Sequence, residues 1–143
     1  MASPQQIALI LWRKAQALDR AVRAAEAASA DDALAIAREL SSGTRTPAQL
    51  RAAGHPYRLG GSGPALPVNI RTGRFLAGWK VTGPRKSGDG LKTTLLNTDR
   101  KARLLQRGTG RMMARPVIER VRMRIKLSRM KRHRAALKAV HGG

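Results

Sequence analysis

Residues 79–96 read WKVTGPRKSGDGLKTTLL, and this stretch decides the fold. Trp79-Lys80-Val81 and Leu91-Lys92-Thr93-Thr94-Leu95-Leu96 are rich in aromatic, β-branched and aliphatic side chains. Between them lies Gly83-Pro84-Arg85-Lys86-Ser87-Gly88-Asp89-Gly90, made of turn-forming and charged residues. That pattern predicts two antiparallel strands joined by a basic, mobile hairpin tip, which holds out Arg85 and Lys86 for contact with DNA or a partner.

On the N-terminal side the pattern changes to helical spacing. Ser3-Pro4-Gln5-Gln6 carries the grammar of a helix start, with Ser3 as cap, Pro4 in the first turn and Gln6 able to return a hydrogen bond. Ile7, Leu11, Leu18, Val22 and Ala25 then form one apolar stripe on a helix running to about Ala28. Ser29 with Asp32 reads as a second capping box, opening a second helix, or a kinked continuation of the first, that ends at Gly43. Thr46-Pro47-Ala48-Gln49 repeats the start signal for a short third helix closed by Gly54. Residues 55–70 have neither helical nor strand periodicity and read as an extended loop or arm.

On the C-terminal side, Asp99–Arg107 predicts a short helix ended by Gly108, and Pro116 opens a last helix running to about Val140. Residues 121–127 leave a choice. Val121, Met123, Ile125 and Leu127 alternate with Arg122, Arg124 and Lys126 as in a strand, whereas Ile118, Val121 and Ile125 fit a helix, and length together with Pro116 favours the helix. The expected fold class is α+β: N-terminal helices, a small antiparallel sheet with a long hairpin, and a basic C-terminal helix. One domain is expected overall, made of a helical part at 1–54, the arm at 55–70, and sheet plus helix at 71–143.

Its 143 residues suffice for one core, but the core-building stock is thin. Ala supplies 23 of the apolar residues, and the aromatic residues are Trp12, Tyr57, Phe75 and Trp79. Stability is therefore expected to depend on helix packing or on partner subunits. Net charge is +21, and it is unevenly placed: residues 1–50, 51–110 and 111–143 carry +1, +10 and +10. Such a field calls for a polyanion or an acidic neighbour.

The residues offer no chemistry of the enzymatic kind. There is no cysteine, which excludes disulfides, thiolate catalysis and Cys-ligated zinc. His55, His133 and His141 share no ligand spacing, and His133 and His141 read as solvated members of the last helix. Asp31 and Asp32 are explained by a helix N-terminus and Glu119 by the first turn of the last helix. The glycine clusters lack the Gly-Lys-Ser/Thr ending of a phosphate cradle. Neither cofactor nor metal is expected. The apolar run Ile7–Trp12 is too short to span a membrane, so no membrane partner is expected either. From Arg111 onward there is no aromatic residue for base stacking. What remains is phosphate contact without base readout, with Arg120, Arg124, Lys131 and Arg134 along one side of the last helix.

The second half also carries an ordered series of short motifs. Thr72-Gly73-Arg74-Phe75-Leu76 precedes the strand at Trp79, Arg107-Gly108-Thr109-Gly110 follows the second strand, and Met113-Ala114-Arg115-Pro116 leads into the last helix. Over roughly residues 69–120 this resembles the tail-completion and head-to-tail connector proteins of long-tailed bacteriophages. It departs from them at Leu104-Leu105-Gln106-Arg107, where relatives often have a Tyr-Ala and an acidic residue, and in lacking a Ser after the Thr-Gly element. The resemblance implies a non-enzymatic virion protein at the neck or tail top, made in the host cytoplasm. Its expected partners are copies of itself in a ring, neighbouring neck and tail proteins, and packaged double-stranded DNA met through non-specific phosphate contacts. The alternative reading is a sequence-nonspecific nucleic-acid-binding protein of ribosomal or nucleoid type.

Overall fold

The computed structural model describes residues 3–44, 49, 52, 67, 68, 70, 72–110 and 114–141. Apart from residues 49 and 52, both helical, the expected short helix over 46–54 lies outside the described residues, as does most of the 55–70 arm. The element order is α1 (Pro4–Glu39), α2 (Arg74–Ala77), β1 (Trp79–Ser87), β2 (Gly90–Asn97), α3 (Ala102–Arg107) and α4 (Val117–His141). The architecture is α+β, with two long helices and a two-stranded antiparallel sheet.

Helix α1 begins at the capping box read from the sequence. The Ser3 side chain accepts from the Gln6 backbone N–H at 3.3 Å, and the Gln6 side chain accepts from the Ser3 N–H at 2.8 Å. The helix does not stop near Ala28; of the two readings, the continuation of the first helix is the one that forms. It runs unbroken for 36 residues, about 54 Å at 1.5 Å per residue. The Ser29 hydroxyl donates backwards to the Ala25 carbonyl at 2.8 Å, as serine does inside a helix, and so caps nothing. Ser29, Ala30, Ala33 and Ala37 are buried, and that packing outweighs the local stop signal at Ser29–Asp32.

Both other long elements lie on α1. Helix α4 runs antiparallel to it, so that Arg124 meets Glu39 while Arg129 and His133 meet Glu26. Residues 121–127 are helical. The core gathers where α1, the start of β1 and the start of α4 converge: Ala33, Ala37, Leu40, Val68, Trp79, Val117 and Val121, with Phe75, Leu95 and Leu105 against them. Val68 belongs to the arm as read from the sequence, yet it is buried and bound to the end of α1. Its N–H donates to Leu40 O at 2.7 Å and its carbonyl accepts from Gly43 N at 3.0 Å.

The hairpin is longer and tighter at its end than the sequence reading suggested. Pairing runs from Trp79↔Asn97 to Ser87↔Gly90, so Arg85 and Lys86 lie in strand β1 and the tip is only Gly88-Asp89. Gly88 has φ +57° and is followed by Asp89, the pattern of a type II′ turn, whose twist matches that of the strands it joins. The register shifts between Thr82 and Arg85, and there Gly83 has φ +105°. A Cβ on Gly83 would stand 2.6 Å from the Lys92 carbonyl oxygen and 3.2 Å from the Thr93 Cα, both backbone atoms of the paired strand. Gly83→Ala is therefore expected to destabilise the chain by about 1–3 kcal/mol through backbone strain, read as a lowered urea midpoint. An unchanged midpoint would show that the bulge relaxes.

Candidate interaction surfaces

The motif residues of the second half fall at joints of the fold. Thr72 is exposed, and Gly73, with φ +74°, caps the short helix α2. Phe75 packs edge-on against Trp79, with ring centroids 5.6 Å apart and planes at 72°. Its carbonyl accepts from Asn97 Nδ2 at 2.8 Å. Trp79 is 1% exposed, and its indole N–H donates to Ser41 Oγ at 2.8 Å, while Ser41 donates on to the Ala37 carbonyl at 2.7 Å. Gly108 closes α3 with φ +73°, its N–H donating to Leu104 O, and Thr109 beyond it is exposed. Ala114 is half-buried, and Arg115 is buried with its N–H donating to Leu105 O at 2.7 Å. Pro116 stands immediately before α4, and its carbonyl accepts from Arg120 N in the first turn. The side chain of Gln106 accepts from Ile118 N at 3.4 Å, so α3 also serves the start of α4.

The basic residues divide into two groups. On the inner side of α4, Arg124 pairs with Glu39 at 3.0 Å and Arg132 with Asp32 at 2.6 Å. Arg129 grips Glu26 through Nε at 3.0 Å and Nη2 at 3.1 Å, and His133 Nε2 lies 3.0 Å from the same carboxylate. Three sequence expectations change. Asp32 serves no helix N-terminus, because α1 does not begin there, and His133 is half-buried against an acid rather than solvated. Arg124, expected to face a partner, holds α1.

The Glu26 side chain is only 7% exposed. Burial alone would raise its pKa, but hydrogen bonds from Arg129 and His133 and the charge of Arg129 outweigh burial and hold the carboxyl below its ordinary value. Thr93 approaches the same carboxylate from β2 and adds to the lowering, without a hydroxyl geometry that closes a hydrogen bond.

The outer group has no such partners. Arg120, Arg122, Lys126, Lys131, Arg134 and Lys138 are exposed on α4 and have no acidic partner among the described residues. Arg85 and Lys86 are exposed on β1, where Lys86 reaches far enough along α1 for its charge to help lower the Asp19 pKa, after the larger effect of the Arg23 hydrogen bond. Of the residues singled out for phosphate or partner contact, Arg85, Lys86, Arg120, Lys131 and Arg134 remain on the surface with their charge available.

Two features had no part in the sequence reading of the site. One is a groove of about 510 Å³ floored by α1 and walled by the hairpin and α4, with Glu26 in its lining. The other is the first third of α1: residues 3–16 are all exposed, including Ile7, Leu9, Ile10, Leu11 and Trp12. The apolar stripe that predicts the helix also predicts that this end needs a cover. Among the described residues no three His, Asp or Glu side chains converge as a metal site requires, and no helix is long and apolar enough to cross a membrane. The chain matches no family model, no curated protein and no solved structure.

Proposed function

We propose that the chain is a non-enzymatic structural subunit of a tailed-bacteriophage virion, a tail-completion or head-to-tail connector protein standing in a ring of its own copies at the neck or tail top. The observation that carries this reading is the placement of the motif residues. Thr72–Phe75, Gly108-Thr109 and Ala114–Pro116 come in the order the resemblance gives; the first leads through α2 into the sheet, and the other two lie between α3 and α4. The hairpin and α4 both pack against α1, which therefore carries the exposed cations of both on one framework. A basic surface of that kind suits a channel filled with DNA or an acidic neighbour, and base-specific recognition has no aromatic platform on α4 to work with. Neighbouring neck and tail proteins are the further partners on this reading, and the virion is its location.

Particles assembled without the chain are expected to show separated heads and tails, or tails with disturbed ends, under negative stain. Intact infectious particles would overturn the proposal. The exposed cations of α4 favour one second reading, a free nucleic-acid-binding protein. On that reading duplex binding by the isolated chain would weaken with salt at a log K slope of about −0.9 per neutralised phosphate, and particle assembly would be unaffected.

A further inference from the structure

The start of α1 differs in kind from the rest of the chain. Pro4–Trp12 carries no charged side chain, in a protein of net charge +21. Ile7 is 49% exposed, Ile10 50%, Leu11 63% and Trp12 58%, and with Leu9 they surround the helix rather than lining one side. A helix apolar on every side is stable in water only where something covers it, and an apolar patch of this extent marks a contact surface. Ile7 and Leu11 continue the stripe of Leu18 and Val22, which are half-buried, so the covered face of α1 runs on into solvent uncovered.

The groove is the complementary feature. Ala30 and Ala33 form its floor, Val81 and Leu95 one wall, and Val121 and Ile125 the other. Its volume of about 510 Å³ accommodates the large side chains of one helical turn. A single chain cannot make this fit. Leu11 and Ala30 lie on one continuous helix, and the residues between them hold the two about 28 Å apart. Knob and groove can meet only between copies.

Charge selects the occupant. Copies of so basic a protein repel one another, and the groove itself is edged by Lys92 and Arg122, both exposed. Pro4–Trp12 is a surface of this chain that approaches those cations without adding like charge. We propose that Ile7–Trp12 of one copy inserts into the groove between the hairpin and α4 of a second copy. The contact rests on the reading of the chain as a ring subunit and names the surfaces that join it. It is heterologous, one surface meeting a different one, which is the type that propagates around a ring or along a filament.

The chain has no cysteine, so single cysteines report directly. Leu11→Cys and Lys92→Cys proteins, mixed and mildly oxidised, are expected to give a disulfide dimer containing one of each. Leu11→Cys alone dimerising as readily would mean like surfaces meet, and would overturn the proposal. In sedimentation the wild-type chain is expected to self-associate, and Leu11→Glu/Trp12→Glu to weaken that at least about a hundredfold, with the core still folded as read by urea unfolding of both proteins at a concentration where the wild type is monomeric, since both positions are exposed. A wild-type chain that stays monomeric, or cross-linking that places residues 53–66 of the same chain over Leu11, overturns it as well. The neck reading fails separately: self-association through this contact, with heads and tails still joined in particles lacking the chain, keeps the contact and removes the neck.

Discussion

Replacing Trp79 by Ala is expected to cost about 3–5 kcal/mol, a large part of the stability available to a domain of this size. Among the described residues Trp79 is the only aromatic one that is fully buried, and the other buried members of the core are Ala, Val and one Leu, too small to close over the space. The same change removes the edge-on contact with Phe75 and leaves Ser41, 2% exposed, without its donor. Ser41→Ala separates the polar part of the effect. It strands the indole N–H in the core, at an expected cost of about 1–3 kcal/mol. Trp79→Phe removes that donor together with part of the ring, so Trp79→Phe/Ser41→Ala should cost less than the two single changes added. Urea unfolding measures all four proteins. A loss below about 1 kcal/mol for Trp79→Ala would show that the core is held elsewhere.

The second large effect belongs to Glu26. Glu26→Gln keeps the shape but removes the charge that Arg129 and His133 share, and leaves a half-exposed guanidinium facing an amide. The expected loss at neutral pH is about 1–2 kcal/mol, at the low end for a buried pair because Arg129 is half in solvent and the groove in front of the carboxylate is open. The pH dependence has a definite sign. The folded-state pKa lies below the ordinary value of 4.5, so the unfolded chain takes up this proton first. The contribution of Glu26 is complete above about pH 4.5 and is lost as pH falls through the lower folded value. Stability curves of wild type and Glu26→Gln should therefore run apart at pH 7 and converge in acid. A gap that persists at the acid end would assign the effect to packing instead of charge.

Local chemistry was legible in the sequence wherever local chemistry decides structure. The box at Ser3 and Gln6, the hairpin between Trp79 and Leu96, the stop at Gly108 and the helix after Pro116 all form as their residues predict. Where distant packing overrules a local signal, the fold departs from what the nearby residues predict. Ser29 with Asp32 is a credible helix start until α4 is laid beside it, and then a continuous buried face is worth more than one cap. Gly83–Gly90 is a credible loop until pairing with β2 extends the strands to a two-residue turn. The clasp on Glu26 could not be read at all, since its partners lie more than a hundred residues away and no spacing rule links them. One hint was present: α1 holds most of the acids of the chain, and the last helix is almost wholly basic. Among the site residues, the motif positions proved to be joints, while the cations of α4 split between an inner set that builds the fold and an outer set that remains for partners.

The unbroken length of α1 finally gives the molecule a ruler. A projecting end and a receiving groove fixed on one rigid rod set a constant stride between successive copies in the proposed contact, so an assembly of such rods grows in perimeter by equal steps as copies are added. The stride is written in the number of residues between Leu11 and Ala30. A whole turn inserted there would lengthen it, and would change how many subunits can meet end to start.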